Sequence, residues 1–163
     1  MMEAGPGKTV VLGLGNVLHA DDGAGAQAIQ RLREDRRVPA DVSLVEGGTL
    51  GLELLSYVWD CSRLIVIDAV DVGEAPGTVV RMSGEELNSL PGNSSVHQLG
   101  VSDLLVALRV LAQRQPAVVL LGVQPANTDW STELSPSVTA AMSSLVETAV
   151  RELWQEGQAE SVP

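Results

Sequence analysis

At 163 residues the chain has the length of one domain. With no phenylalanine and an aromatic content of 2%, its core must be built from Val, Leu, Ile and Ala. Ten Lys and Arg against 21 Asp and Glu leave a formal net charge of −11, which repels polyanions and leaves no basic stripe for phosphates, so nucleic acid is excluded as a partner.

Met1 to Lys8 shows no basic segment followed by an apolar signal core. No apolar run approaches the roughly 20 residues of a membrane span, so a cytoplasmic protein with no membrane insertion is expected. Residues 1–8 read as a flexible N-terminus, 9–156 as a single α/β domain and 157–163 as a fraying tail.

Thr9 to Leu14, a β-branched run broken by Gly13 and Gly15, predicts a first buried strand ending in a tight loop. From Gly23 to Arg33, Ala24, Ala28, Ile29 and Leu32 recur at helical spacing. Asp41 to Glu46 reads as a second strand entering Gly47-Gly48, and Thr49 as the cap of a helix over Leu50, Leu54, Leu55 and Val58. Arg63 to Ala69 is the strongest strand signal, and its unbroken apolar run implies cover on both faces, as in a mostly parallel sheet. Cys61, the single cysteine, falls near the entry of that strand and excludes an internal disulfide framework.

Gly77 to Met82 predicts a further strand after the turn Glu74-Ala75-Pro76-Gly77. Pro91 to Ser95 reads as a loop, Leu99 to Leu111 as a helix, and Val118 to Val123 as another doubly covered strand. Gln124 to Glu133 is polar and loop-like. Leu134 to Trp154 carries a long helical pattern with Ser135 as cap and Pro136 in the first turn. Strands alternating with helices give a three-layer α/β/α sandwich of about five strands.

The first loop, Gly13 to Gly25, follows a strand as a dinucleotide-binding turn does. Position 18 is Leu where the third glycine belongs, and Asp21 and Asp22 would repel a pyrophosphate. Two acids ahead of a helix N-terminus are instead suited to capping or to holding a cation. Adjacent side chains diverge, so one of the pair can orient the helix while the other faces the cleft. Asp68 ends Leu64-Ile65-Val66-Ile67, where an acid must meet a donor or a metal rather than sit alone in the core.

The loop after strand one and Asp68 both fall beyond the carboxyl ends of strands, the usual place for a site in an open α/β sheet. His97, placed between a loop and a helix, offers an imidazole nitrogen or else a helix cap. His19 reads as a supporting or solvent-facing residue. Glu46 serves either a local turn or the site, and Gly47-Gly48 invite close backbone approach, as in a groove for an extended peptide. Two carboxylates and an imidazole make a mixed oxygen and nitrogen set for a divalent transition ion, with positions left for water or substrate.

Taken in order, Gly13-Leu14-Gly15-Asn16-Val17-Leu18 with Asp21-Asp22-Gly23-Ala24-Gly25, Glu46-Gly47-Gly48-Thr49, Ile67-Asp68-Ala69, and His97-Gln98-Leu99-Gly100 with Asp103-Leu104-Leu105 resemble the nickel-iron hydrogenase maturation endopeptidases. Gly122-Val123-Gln124-Pro125 also matches that family's late strand and following loop. The resemblance implies a twisted five-stranded sheet with one antiparallel strand, in a protein that is monomeric alone. It implies removal of a short C-terminal peptide from the nickel-loaded precursor of a hydrogenase large subunit.

It further implies Asp22, Asp68 and His97 as metal ligands, with Asp22 or Asp68 assisting hydrolysis as catalytic carboxylates. The nickel would be supplied by the substrate, and another divalent metal could fill the site in vitro. Asp21, Glu46, Gly47 and Gly48 would support the ligands or line the substrate groove. The family commonly has Asp where this chain has Glu46. A non-catalytic metal-sensing chaperone for an immature metalloenzyme is the alternative use of the same cleft.

Overall fold

The computed structural model describes residues 7–49, 51–88, 96–113 and 115–155, with the backbone alone at 85, 88, 96–100 and 102. Five strands, β1 (Lys8–Leu14), β2 (Ser43–Gly48), β3 (Cys61–Ala69), β4 (Val79–Ser83) and β5 (Ala117–Val123), form one sheet in the order β2-β1-β3-β5-β4. β2, β1, β3 and β5 run parallel, and β4 pairs antiparallel with β5 at the edge. The expected three-layer sandwich with one antiparallel strand is therefore the fold of this chain.

Helices α1 (Ala24–Arg33) and α5 (Pro136–Trp154) cover one face of the sheet. The short α2 (Leu55–Val58) and α4 (Val96–Leu111) pack together on the other. Alternation along β3 sends Ile65 and Ile67 into the α1/α5 core and Leu64 and Val66 into the α2/α4 core, as a strand buried on both sides requires. The aliphatic sequence fits this arrangement, with Val, Ile and Leu filling the strand positions and Leu, Ala and Val most of the helical ones.

Close approach of α1 to the sheet depends on two glycines. A Cβ on Gly25 would overlap the carbonyl oxygens of Leu14 and Ile67, and one on Gly13 would press on Gly25 O at 2.5 Å. At the amino-terminal edge of the sheet, Glu152 near the end of α5 pairs with Arg63 of β3 at 3.0 Å and Arg81 of β4 at 2.8 Å.

Two expectations are corrected, and one helix is added. Thr49 does not cap a helix: Gly51 leads a 3-10 turn, Leu52–Leu54, with no side-chain cap bond, and α2 that follows is a single turn. The fourth helix begins at Val96, so His97 lies inside its first turn rather than before it. A short helix α3 (Glu85–Asn88) follows β4, where no helical period announces it. β1 also begins at Lys8, which pairs with Cys61. The loop expected at Pro91 to Ser95 and the tail expected at 157–163 lie outside the described residues.

Candidate active site

The parallel strands end together, and the loops beyond β1, β2 and β3 meet around one glycine. Gly15 has a φ of 116°, in the region that side chains disfavour. Its N–H donates to Gly48 O at 2.9 Å, which ties the first loop to the double glycine after β2. A Cβ here would overlap the main-chain oxygen of Asp22 and stand 3.4 Å from Asp68 Oδ1. Asp22 then turns its carboxylate back, and its Oδ2 accepts the N–H of Asn16 at 2.9 Å. Two acids distant in sequence thus border the same Gly15-Asn16 turn.

Asp68 continues the row of Leu64 and Val66, so it stands on the α2/α4 side of the sheet. It is 2% exposed, and its Oδ1 accepts the N–H of Ala69 at 2.8 Å. α4 leads into β5 at the amino-terminal edge of the sheet, so its first turn, which carries His97, belongs to the opposite edge, where Asp68 and Asp22 lie. Among the described side chains no group of three His, Cys, Asp or Glu is placed to hold a metal ion. The side chain of His97, the third ligand implied by the resemblance, is outside that set.

Asp21 has a different position from its neighbour. It is fully buried, and its carboxylate accepts four hydrogen bonds: from Ala126 N at 2.8 Å, Asn127 N at 3.1 Å, Ser135 N at 2.7 Å and Ser135 Oγ at 2.8 Å. Burial of a carboxylate is tolerable only with such donors. Asp21 therefore clamps the first loop to the loop after β5 and to the start of α5. Of the two adjacent acids, one holds the scaffold and the other borders the Gly15-Asn16 turn beside Asp68.

Glu46 is exposed and turned away from that site. It follows Leu44 on the α1 side of the edge strand, where its Oε1 accepts from Gln30 Nε2 at 3.0 Å and lies 3.7 Å from Arg33 Nη1. Gly47 packs on Leu12, Leu14 and Leu54. Gly48, at a φ of 56°, has open space where a Cβ would stand. His19 is held against the loop after β5, with Nδ1 3.1 Å from Thr128 O and its ring 4.2 Å from that of Trp130.

One contributor stands in the sequence only as part of the Gly122-Val123-Gln124-Pro125 block, with no role of its own. Gln124, buried at the end of β5, accepts the N–H groups of Val72 at 2.8 Å and Glu74 at 3.3 Å, and donates to Asp71 Oδ1 at 3.1 Å. It shapes the segment that leaves Asp68. Its signal was an amide residue directly after a doubly covered strand, at the carboxyl edge where sites form.

A sequence model described as hydrogenase maturation protease matches residues 26–152. The hydrogenase expression/formation protein HupD of Rhodobacter capsulatus is 38% identical over 151 residues, covering 91% of this chain and 72% of the relative. Among solved structures, the hydrogenase maturating endopeptidase HybD from Escherichia coli superposes with a TM-score of 0.85 at 33% identity, covering 92% of this chain and 94% of that one. The [NiFe] hydrogenase maturation protease HybD from Thermococcus kodakarensis gives 0.75 at 31%, covering 90% and 99%. The family match spans most of the chain, and its ordered acids and glycines meet at one end of the sheet: this protein belongs to the hydrogenase maturation proteases and is a peptidase.

Proposed function

We propose that this protein removes a short C-terminal peptide from the nickel-loaded precursor of a hydrogenase large subunit, with Asp22, Asp68 and His97 gripping the ion that the substrate brings. The convergence of the Asp22 and Asp68 loops on Gly15 carries this reading, in a chain of this family. Carboxylate and imidazole donors suit a divalent transition ion, and such an ion can polarise a carbonyl or lower the pKa of a bound water.

The residues' own contribution is orientation. Backbone N–H donors from Asn16 and Ala69 fix the two carboxylates before substrate arrives, so little reorganisation is needed when it binds. From there one acid can take the proton from the attacking water while the other holds the ion, which would make that water more acidic. The open backbone at Gly48, on the edge strand, provides room for an extended peptide beside the two acids. Because the ion arrives with the substrate, only a loaded precursor completes the site. Processing then reports that metal insertion has already occurred. The enzyme acts as a monomer in the cytoplasm; among the described residues no helix is long and apolar enough to cross a membrane.

Incubation of the purified protein with the precursor, with and without nickel, tests the proposal by the mass of the large subunit. Loss of a short C-terminal peptide only from the loaded form is expected. Stoichiometric complex formation with no shortening would instead favour a metal-sensing chaperone.

A further inference from the structure

The loop that carries Asp22 also exposes Val17 and Leu18. Trp130, on the loop after β5, is the most exposed large apolar side chain among the described residues, at 75%. These side chains sit on a rigid frame. Ser131 N donates to Leu18 O at 2.9 Å and Ala20 N to Ser131 O at 2.8 Å, making a parallel bridge between His19 and Ser131. The His19 ring tilts 37° against the Trp130 ring at 4.2 Å. Behind the bridge, the Asp21 carboxylate binds the N–H groups of Ala126 and Asn127.

Between these ties Ala20 adopts a φ of 48°, a left-handed conformation that costs a non-glycine residue about 1 kcal/mol and persists only where the surroundings over-determine it. Two loops are therefore locked together in a way that leaves a tryptophan, a leucine and a valine facing water. An aromatic anchor held rigidly beside smaller apolar groups is the usual composition of a binding hot spot.

The frame is continuous with the two acids. Asp22 N donates to His19 O at 3.0 Å, and Asn16, whose N–H binds the Asp22 carboxylate, directly precedes Val17. A peptidase must hold polypeptide on both sides of the bond it cuts, and on this side the adjoining surface is apolar. A second copy of the chain fits less well. It would lie across the Asn16 to Asp22 segment, and three side chains fall far short of the roughly 800 Å² per partner that a stable pair buries.

Resting on the peptidase reading above, we propose that Val17, Leu18 and Trp130 form an apolar docking subsite for the substrate polypeptide. It takes an apolar side chain of the hydrogenase precursor next to the C-terminal extension and so sets which precursor is accepted.

The test measures binding of the nickel-loaded precursor by calorimetry and its shortening by mass, for the native sequence, Trp130→Ala, Trp130→Phe and Leu18→Ser. Trp130→Ala and Leu18→Ser are expected to weaken binding and raise KM about ten-fold while kcat and the melting temperature stay close to those of the native sequence. Trp130→Phe, which keeps a ring against His19, is expected to recover most of the loss. Unchanged binding and KM in both Trp130→Ala and Leu18→Ser, with the native protein processing normally, would overturn the docking subsite and leave the peptidase reading intact. A native protein that binds the precursor but does not shorten it would overturn the peptidase reading, and with it the subsite's role in cleavage. A dimer of the native protein that Trp130→Ala dissolves, at unchanged precursor affinity, would assign the surface to a second copy and overturn the proposal as well.

Discussion

Asp21 and Ser135 are joined by two hydrogen bonds: the carboxylate takes the backbone N–H of Ser135 at 2.7 Å and its hydroxyl at 2.8 Å. The same hydroxyl oxygen accepts Val138 N at 3.3 Å and so caps α5. A relay runs from the first loop through Ser135 into the helix that packs on β5 and β4. Asp21→Ala leaves these donors without their acceptor in a buried place, and about 3 kcal/mol of stability should be lost. Urea unfolding followed by circular dichroism measures this. Ser135→Ala, which removes only the hydroxyl, should cost about 1 kcal/mol.

The proposed ligands should behave in the opposite way. Asp68→Asn and His97→Gln are expected to reduce precursor shortening by a hundred-fold or more, about 3 kcal/mol in the transition state, with far smaller changes in the melting temperature. Parallel thermal melts and cleavage assays separate the two effects. Normal processing by both variants would mean that these residues do not carry the chemistry.

Gly25→Ala tests the packing that brings the first loop to the strand ends. Its new methyl group would collide with backbone oxygens of Leu14 and Ile67, which cannot swing aside as a side chain can. The helix must lift from the sheet, at a cost of about 3 kcal/mol. A lower urea midpoint at an unchanged slope is expected.

Glu152 makes stability depend on acid. The hydrogen bond from Arg81 is the main cause that holds its carboxyl below the ordinary 4.5; burial opposes the shift, while the Arg81 charge and Arg63 reinforce it. The folded state thus binds the proton less readily than the unfolded chain. The stabilisation is present in full above the unfolded value and is lost as pH falls through the lower, folded one. Glu152→Gln should cost about 3 kcal/mol at pH 7, since both arginines lose their shared partner. The gap between the two proteins should shrink below about pH 4 in urea titrations run across that range.

Sequence by itself determined the strands of the sheet to within about two residues at each end, most firmly β1, β3 and β5, whose aliphatic runs can be satisfied only by burial on both faces. It also determined the start of α5, since Ser135-Pro136 is a local capping signal that needs no distant partner. Asp68 stood out for the same local reason: an acid that closes an apolar run must be at a strand end.

Only the tertiary structure decided what each neighbouring acid does. Asp21 and Asp22 are alike as residues, and what makes Asp21 the clamp is donors on Ala126, Asn127 and Ser135, far along the chain, while Asp22 turns to Asn16. Glu46 likewise faces α1 because of its place on an edge strand, and Gln124 acts on the segment after Asp68 because β5 lies beside β3. Where a side chain points and which donors it meets are set by contacts between strands and loops remote in sequence. Neither hydrophobic period nor local spacing contains that information.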